Sequence, residues 1–126
     1  QTYMPKAGAA ARGDQLALLA SIAHNRATDP AVGDLLAAVE GSPVVADPDS
    51  PEAADVRELR HSYGRATKLP KRLVEELARV TTQAQEAWQE ARATDHFPTF
   101  RPHLENVIAL KREEAAAVGF ADHPYD

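Results

Sequence analysis

A chain of 126 residues has room for one domain with a modest core, and the absence of cysteine removes disulfide frameworks, thiolate metal sites and cysteine nucleophiles from consideration. A net charge of −5 argues against a phosphate-backbone binder, whose affinity needs clustered Lys and Arg, and no apolar run approaches the roughly 20 residues that cross a bilayer. These bounds predict a soluble, cytoplasmic protein with neither nucleic acid nor membrane as its partner.

The composition is Ala-rich, long stretches lack Gly and Pro, and no β-branched residues alternate, so the expected fold class is all-α. A first helix is predicted from about Ala7 to Ala27, entered through Met4-Pro5-Lys6, with Arg12 and Gln15 available to pin that entrance. Asp29-Pro30 and Ser50-Pro51 each place a capping side chain before a Pro at the first helical position. They predict a second helix from Pro30 to about Glu40 and a third from Pro51 to about Lys68, with "GSPVVADPDS" as the loop between. A fourth helix should run from Pro70 to about Thr94. After a tight aromatic corner, "DHFPTFRP", a fifth should run from about Pro102 to Val118, stopped by Gly119.

The third and fourth helices carry the clearest pattern. Val56, Leu59, Tyr63 and Ala66 step by three and four, as do Leu73, Leu77, Val80, Ala84, Ala87 and Ala91. Two such seams joined by "KLPK" predict a long, coiled-coil-like antiparallel hairpin, with Leu59, Tyr63, Leu73 and Leu77 buried between the pair or beneath the first helix, a third long one. The change from Leu to Ala along the fourth helix allows closer backbone approach there. Glu75 and Arg79 are spaced for an i,i+4 pair. The fifth helix shows Leu104, Ile108 and Val118 on one side and Val107 and Leu110 on another. That is more apolar surface than a hairpin covers, so self-association is expected.

No catalytic pattern stands among the residues that could carry one. His24, His61, His96, His103 and His123 include no two residues three or four apart, and none begins a His-Glu-x-x-His helix, so no metal ligands are assigned. His24 and His61 read as helix residues hydrogen-bonded or partly buried, and Asp95-His96 and Asp122-His123 as turn or capping pairs. Ser21, Ser42, Ser50 and Ser62 lack a nucleophile elbow, and the six glycines form no phosphate loop. Arg65, Lys68, Lys71 and Arg72 form the one basic knot, readable as an anion grip or, more simply, as solvated helix-end charge. Trp88 and Arg92 are spaced for a cation–π contact at a core or interface position. No catalytic, cofactor-binding or metal residue is named.

Several separated motifs nonetheless stand in a definite order. "TYMPKAGAAARGDQLALL", "AH" at 23–24, "TDPAVGDLL" at 28–36, "AADVRELRHSYGRATKLPKRLVEELARVTTQAQEAWQEAR", "LKREEAAAVGF" and "HPYD" together resemble the N-terminal region of the thermostable metallocarboxypeptidase (carboxypeptidase Taq) family over essentially the whole chain. The resemblance implies an all-helical, soluble, usually dimeric hydrolase. Such an enzyme removes single residues from peptide C-termini with zinc or cobalt held by a His-Glu-x-x-His helix and a later Glu. None of those motifs occurs here, and His123 in "HPYD" is not matched to the family's later His-Pro motif. The first residue is Gln1 and both ends read as cut, so residues 1–126 are expected to be a helical N-terminal fragment that walls and gates the parent's groove. By itself the fragment is not an enzyme and holds no cofactor; its partners are the rest of the parent or a second copy. The rival reading is a free-standing helical interaction or dimerisation module.

Overall fold

The computed structural model of the chain describes residues 8–124, and every regular element among them is helical. The order is α1 (Ala9–Ala27), α2 (Pro30–Glu40), a 3-10 turn at Pro43–Val45, α3 (Pro51–Lys68), α4 (Lys71–Thr94) and α5 (Phe97–Val118). The entrance residues Met4, Pro5 and Lys6 lie outside the described span; Arg12 and Gln15 bond to each other across one exposed turn, at 3.3 Å.

The predicted starts hold because the capping chemistry is local. Asp29 accepts a hydrogen bond from the Ala31 backbone N–H at 2.9 Å, and Ser50 Oγ accepts one from Ala53 N–H at 3.2 Å, each with Pro in the first helical turn. Gly119 ends α5 with φ 88°, a conformation that costs glycine little. The start of α5 departs from expectation. It begins at Phe97, five residues before Pro102, so the corner shrinks to Asp95 and His96. Pro98 sits in the first turn, where its missing N–H costs nothing, and Pro102 is accommodated one turn further in. Asp95 takes the left-handed conformation at φ 50°, which a short polar side chain tolerates.

The long antiparallel hairpin exists, but its members are α4 and α5. Arg72, in the first turn of α4, pairs with Glu113 near the end of α5. α4 lies between α5 and α1, the third long helix, whereas α3 packs on α2 and only touches α1 and α5. The expected α3–α4 pairing is therefore corrected. Leu69 and Pro70 between them are both extended, at ψ 124° and 136°, as the residue before a proline prefers, and they redirect the chain. Leu59 is accordingly 57% exposed, Tyr63 and Leu77 are half-buried, and Leu73 is wholly enclosed. Tyr63 turns to α2, where it lies so close over Gly33 that a Cβ there would stand 2.8 Å from its hydroxyl.

Small residues make the core. On α1, Gly13, Ala17 and Ser21 are buried at every fourth position, and a Cβ on Gly13 would lie 3.5 Å from the Arg79 backbone oxygen of α4. The buried apolar side chains among the described residues are Ala17, Leu36, Ala53, Leu73, Ala84 and Ala91, four of them alanine. Of the alanine stretch of α4, Ala84 and Ala91 are buried. On α5 nothing is fully buried: Leu104, Val107, Leu110 and Val118 are half-buried and Ile108 faces outward.

Ion pairs cross between helices. Arg79 does not pair with Glu75; it reaches Asp14 of α1 at 2.9 Å and Glu76 at 2.7 Å, while Glu75 faces Lys71. Arg60 of α3 grips Glu40 of α2 with two bonds of 2.8 Å, from Nε and Nη2. The guanidinium's hydrogen bonds hold the Glu40 carboxyl below its ordinary value of 4.5.

Two measurements test this packing. Leu73→Ala should destabilise the fold by about 2–5 kcal/mol in denaturant unfolding, and Leu59→Ala by less than about 0.5 kcal/mol; equal effects would refute the assigned partners of α4. A carboxyl whose folded pKa is lowered contributes stability above its unfolded value, and that contribution fades as pH falls through the folded value. Glu40 should therefore titrate below 4.5 by NMR and return to the ordinary value in Arg60→Gln. A midpoint that the substitution leaves unmoved means the pair does not form in solution.

Candidate functional site

The basic knot singled out in the sequence is divided among partners. Lys68 donates to the Val118 carbonyl at 2.9 Å, closing the C-terminal end of α5, where unpaired carbonyls carry negative charge. Arg65 approaches Glu114 at 3.8 Å, Arg72 pairs with Glu113, and Lys71 lies 3.8 Å from Glu75. Three of the four cations thus tie the α3–α4 junction to the last turns of α5.

Between these anchors α3 and α5 leave an open groove of about 840 Å³. His61, Gly64, Arg65 and Lys68 recur at helical spacing on α3, and Lys111, Glu114, Ala115 and Val118 do so on α5, so each helix presents one face to it. Phe120, 44% exposed, adds an apolar wall beyond Gly119. Glu114 is largely covered and serves two cations, accepting from Lys111 at 2.6 Å and facing Arg65. The sequence had shown the α3 half of this groove as charge; Lys111 and Glu114 were not singled out, because only the return of α5 brings them beside it.

A second concavity, of about 420 Å³, lies at the tip of the α4–α5 hairpin among Trp88, Ala91, Arg92, Asp95, Phe97 and Phe100. The Arg92 guanidinium stands 5.6 Å from the Trp88 ring centre, as the spacing suggested, and Phe97 meets Phe100 edge-on at 6.4 Å. Trp88 is 46% exposed and so belongs to the surface rather than the core. On the same helix Glu86 buries Oε2 without a hydrogen-bond partner.

The histidines do not converge. His24 and His103 are half-buried and His61 is exposed in the groove, while His96 is the N-cap residue of α5 with Nδ1 2.9 Å from Thr99 Oγ1. His123 lies beyond α5. No group of three or more His, Asp or Glu able to hold a metal ion occurs among the described residues.

The chain is similar to known proteins over its whole length. Over 115 residues the chain is 46% identical to thermostable carboxypeptidase 1 of Thermus thermophilus, covering 91% of this chain and 22% of that protein. It is 30% identical over all 126 residues to thermostable carboxypeptidase 1 of Pyrococcus furiosus, and 25% identical to carboxypeptidase 1 of Bacillus subtilis, in each case spanning 25% of the relative. The crystal structure of BsuCP superimposes with a TM-score of 0.85 at 25% identity, over 98% of this chain and 24% of that one. The family model for carboxypeptidase Taq (M32) metallopeptidases matches residues 1–126. A contiguous five-helix chain that matches from end to end, in sequence and in backbone, belongs to the carboxypeptidase Taq (M32) metallopeptidase family.

Proposed function

We propose that this chain is the helical N-terminal part of a cytoplasmic, dimeric metallocarboxypeptidase that uses zinc or cobalt to remove single residues from peptide C-termini. In this reading the chain walls and gates the substrate groove, and other parts of the parent carry out hydrolysis. The observation that carries it is the extent of the match: all 126 residues belong to the family pattern, yet they span only 22 to 25% of the carboxypeptidases compared. A catalytic zinc needs about three protein ligands and an open position, and the described residues offer no such cluster. They do not fit the metal, so no step of the reaction is assigned to them.

The surface fits a chain covered by further protein. On α1, Leu18, Leu19 and Ile22 are 62%, 56% and 45% exposed, on the side away from Gly13, Ala17 and Ser21. A helix apolar on opposite sides is characteristic of the interior of a larger body. The chain's accessible surface, 8834 Å², exceeds by about a third the roughly 6,600 Å² of a compact protein of its mass. The rival reading, a module that dimerises by itself, draws on the same uncovered residues.

The reading frame beyond Asp126 separates the two: continuation into a His-Glu-x-x-His segment supports the parent enzyme, and a stop codon supports the module. Pure 126-residue protein should release no C-terminal amino acids from a test peptide; chelator-sensitive release by such material would overturn the assignment. In light scattering across a concentration series the chain should self-associate through its uncovered faces. A 13.6 kDa species persisting at high micromolar concentration would show that the five helices close their own core.

A further inference from the structure

The α3–α5 groove holds more positive charge than its carboxylates balance. Arg60, Arg65, Lys68 and Lys111 line it. Glu40 answers Arg60, Glu114 is shared by Arg65 and Lys111, and among the described residues Lys68 donates to the carbonyl of Val118. Among the described residues, four cations here face two carboxylates, in a chain whose net charge is −5. Arg65 and Lys111 expose 56% and 60% of their side chains, so both remain open to a ligand.

The floor of the groove carries an independent sign. Gly64 lies within α3, where glycine weakens a helix relative to alanine. Close packing explains the other two glycines inside helices beside a neighbour: Gly13 meets the α4 backbone, and Gly33 lies under Tyr63. Gly64 has no such cause, since a Cβ there would find no atom within 4 Å. What its missing side chain provides is open space between Arg65, Lys68 and the α5 face.

We propose that this groove is a binding site for an acidic peptide segment of another molecule. Its carboxylates would meet Arg65, Lys68 and Lys111, and its apolar side chains would rest on Ala115, Val118 and Phe120. The apolar wall favours a peptide over a simple anion, and the volume lies within the range of sites that enclose small ligands. The proposal stands on residues of this chain and does not depend on the enzymatic reading of the parent.

The test is a calorimetric titration of the 126-residue protein at low ionic strength with three probes: a blocked hexapeptide of alternating glutamate and leucine, one of alternating glutamate and glycine, and inorganic phosphate. The glutamate–leucine peptide should bind saturably and most tightly, and weaken as salt screens the charges. Arg65→Gln should weaken it about three- to tenfold, as expected for a partly exposed charge contact, while Arg101→Gln, whose partner is Glu105 on the outside of α5, should leave it unchanged. Gly64→Leu fills the floor; it should abolish binding while the melting temperature stays level or rises, since leucine favours helix over glycine. Should Gly64→Leu fail to fold, Arg65→Gln decides alone. Absence of saturable peptide binding, equal binding of phosphate, or full affinity in Arg65→Gln or in folded Gly64→Leu overturns the proposal.

Discussion

The close contact of α1 with α4 governs the rest of the structure. Gly13 sits against the Arg79 backbone, with Ala17 and Ser21 buried one and two turns further along α1. Small residues let two helices approach nearer than leucine seams would allow, and α4 can then hold α1 on one side and α5 on another. The cost is visible in the same residues. An alanine side chain buries little apolar area, and at about 25 cal/mol per Å² a core of Ala17, Ala53, Ala84 and Ala91 with two leucines, Leu36 and Leu73, yields much less than a leucine-filled one. The larger side chains have not vanished; Leu18, Leu19 and Ile22 on α1 and Ile108 on α5 lie outside the contact. Close helix packing and uncovered leucines are two consequences of one choice of residues.

Charge compensates where apolar contact is thin. α3 touches α5 only lightly, and the junction is braced by Lys68 on the Val118 carbonyl, Arg65 near Glu114 and Arg72 on Glu113. These groups are mostly exposed, and exposed pairs contribute little each. Their value is geometric: a carbonyl and two carboxylates in the last turns of α5 fix where that helix ends relative to α3. Because α3 and α5 are held apart by long side chains rather than pressed together by short ones, a groove remains between them. The same physical difference, small residues on one flank of the molecule and long charged ones on another, gives a closed seam at α1–α4 and an open one at α3–α5.

What the sequence disclosed follows this division between local and distant causes. Helix starts at Pro30 and Pro51, the stop at Gly119 and the cation–π spacing of Trp88 and Arg92 depend on residues within one turn of each other, and all were legible. The partner of α4 was not. The seam Leu73–Leu77–Val80–Ala84–Ala91 states that a stripe is covered, and it says nothing about which helix covers it; two extended residues, Leu69 and Pro70, were enough to send α3 elsewhere. The Glu75–Arg79 spacing misled similarly, because an i,i+4 neighbour competes with Asp14 from another helix. Pro102 concealed the true start of α5, since it reads as a first-turn proline while Pro98 holds that place and Pro102 lies inside the helix. The groove was half legible, as a cluster of cations; its other half depended on the antiparallel return of α5.

Family membership and physical structure meet in the question of what completes the fold. A monomer of these residues alone would leave Leu18, Leu19, Leu35 and Ile22 about half to two-thirds exposed, each forgoing a corresponding part of the about 1.5–3 kcal/mol that full burial yields, in a chain whose core is already light. Natural domains have only about 5–15 kcal/mol of net stability to lose. The uncovered residues are therefore large on the scale that decides whether a chain holds together. Three of the four, Leu18, Leu19 and Ile22, form one stretch of one helix, behind the contact that organises the fold. A surface that covers that stretch stabilises α1, and through Gly13 and Asp14 it steadies α4 as well. Any surface that covered this stretch would act on the same helix, so its binding and the stability of this five-helix chain would be coupled through α1.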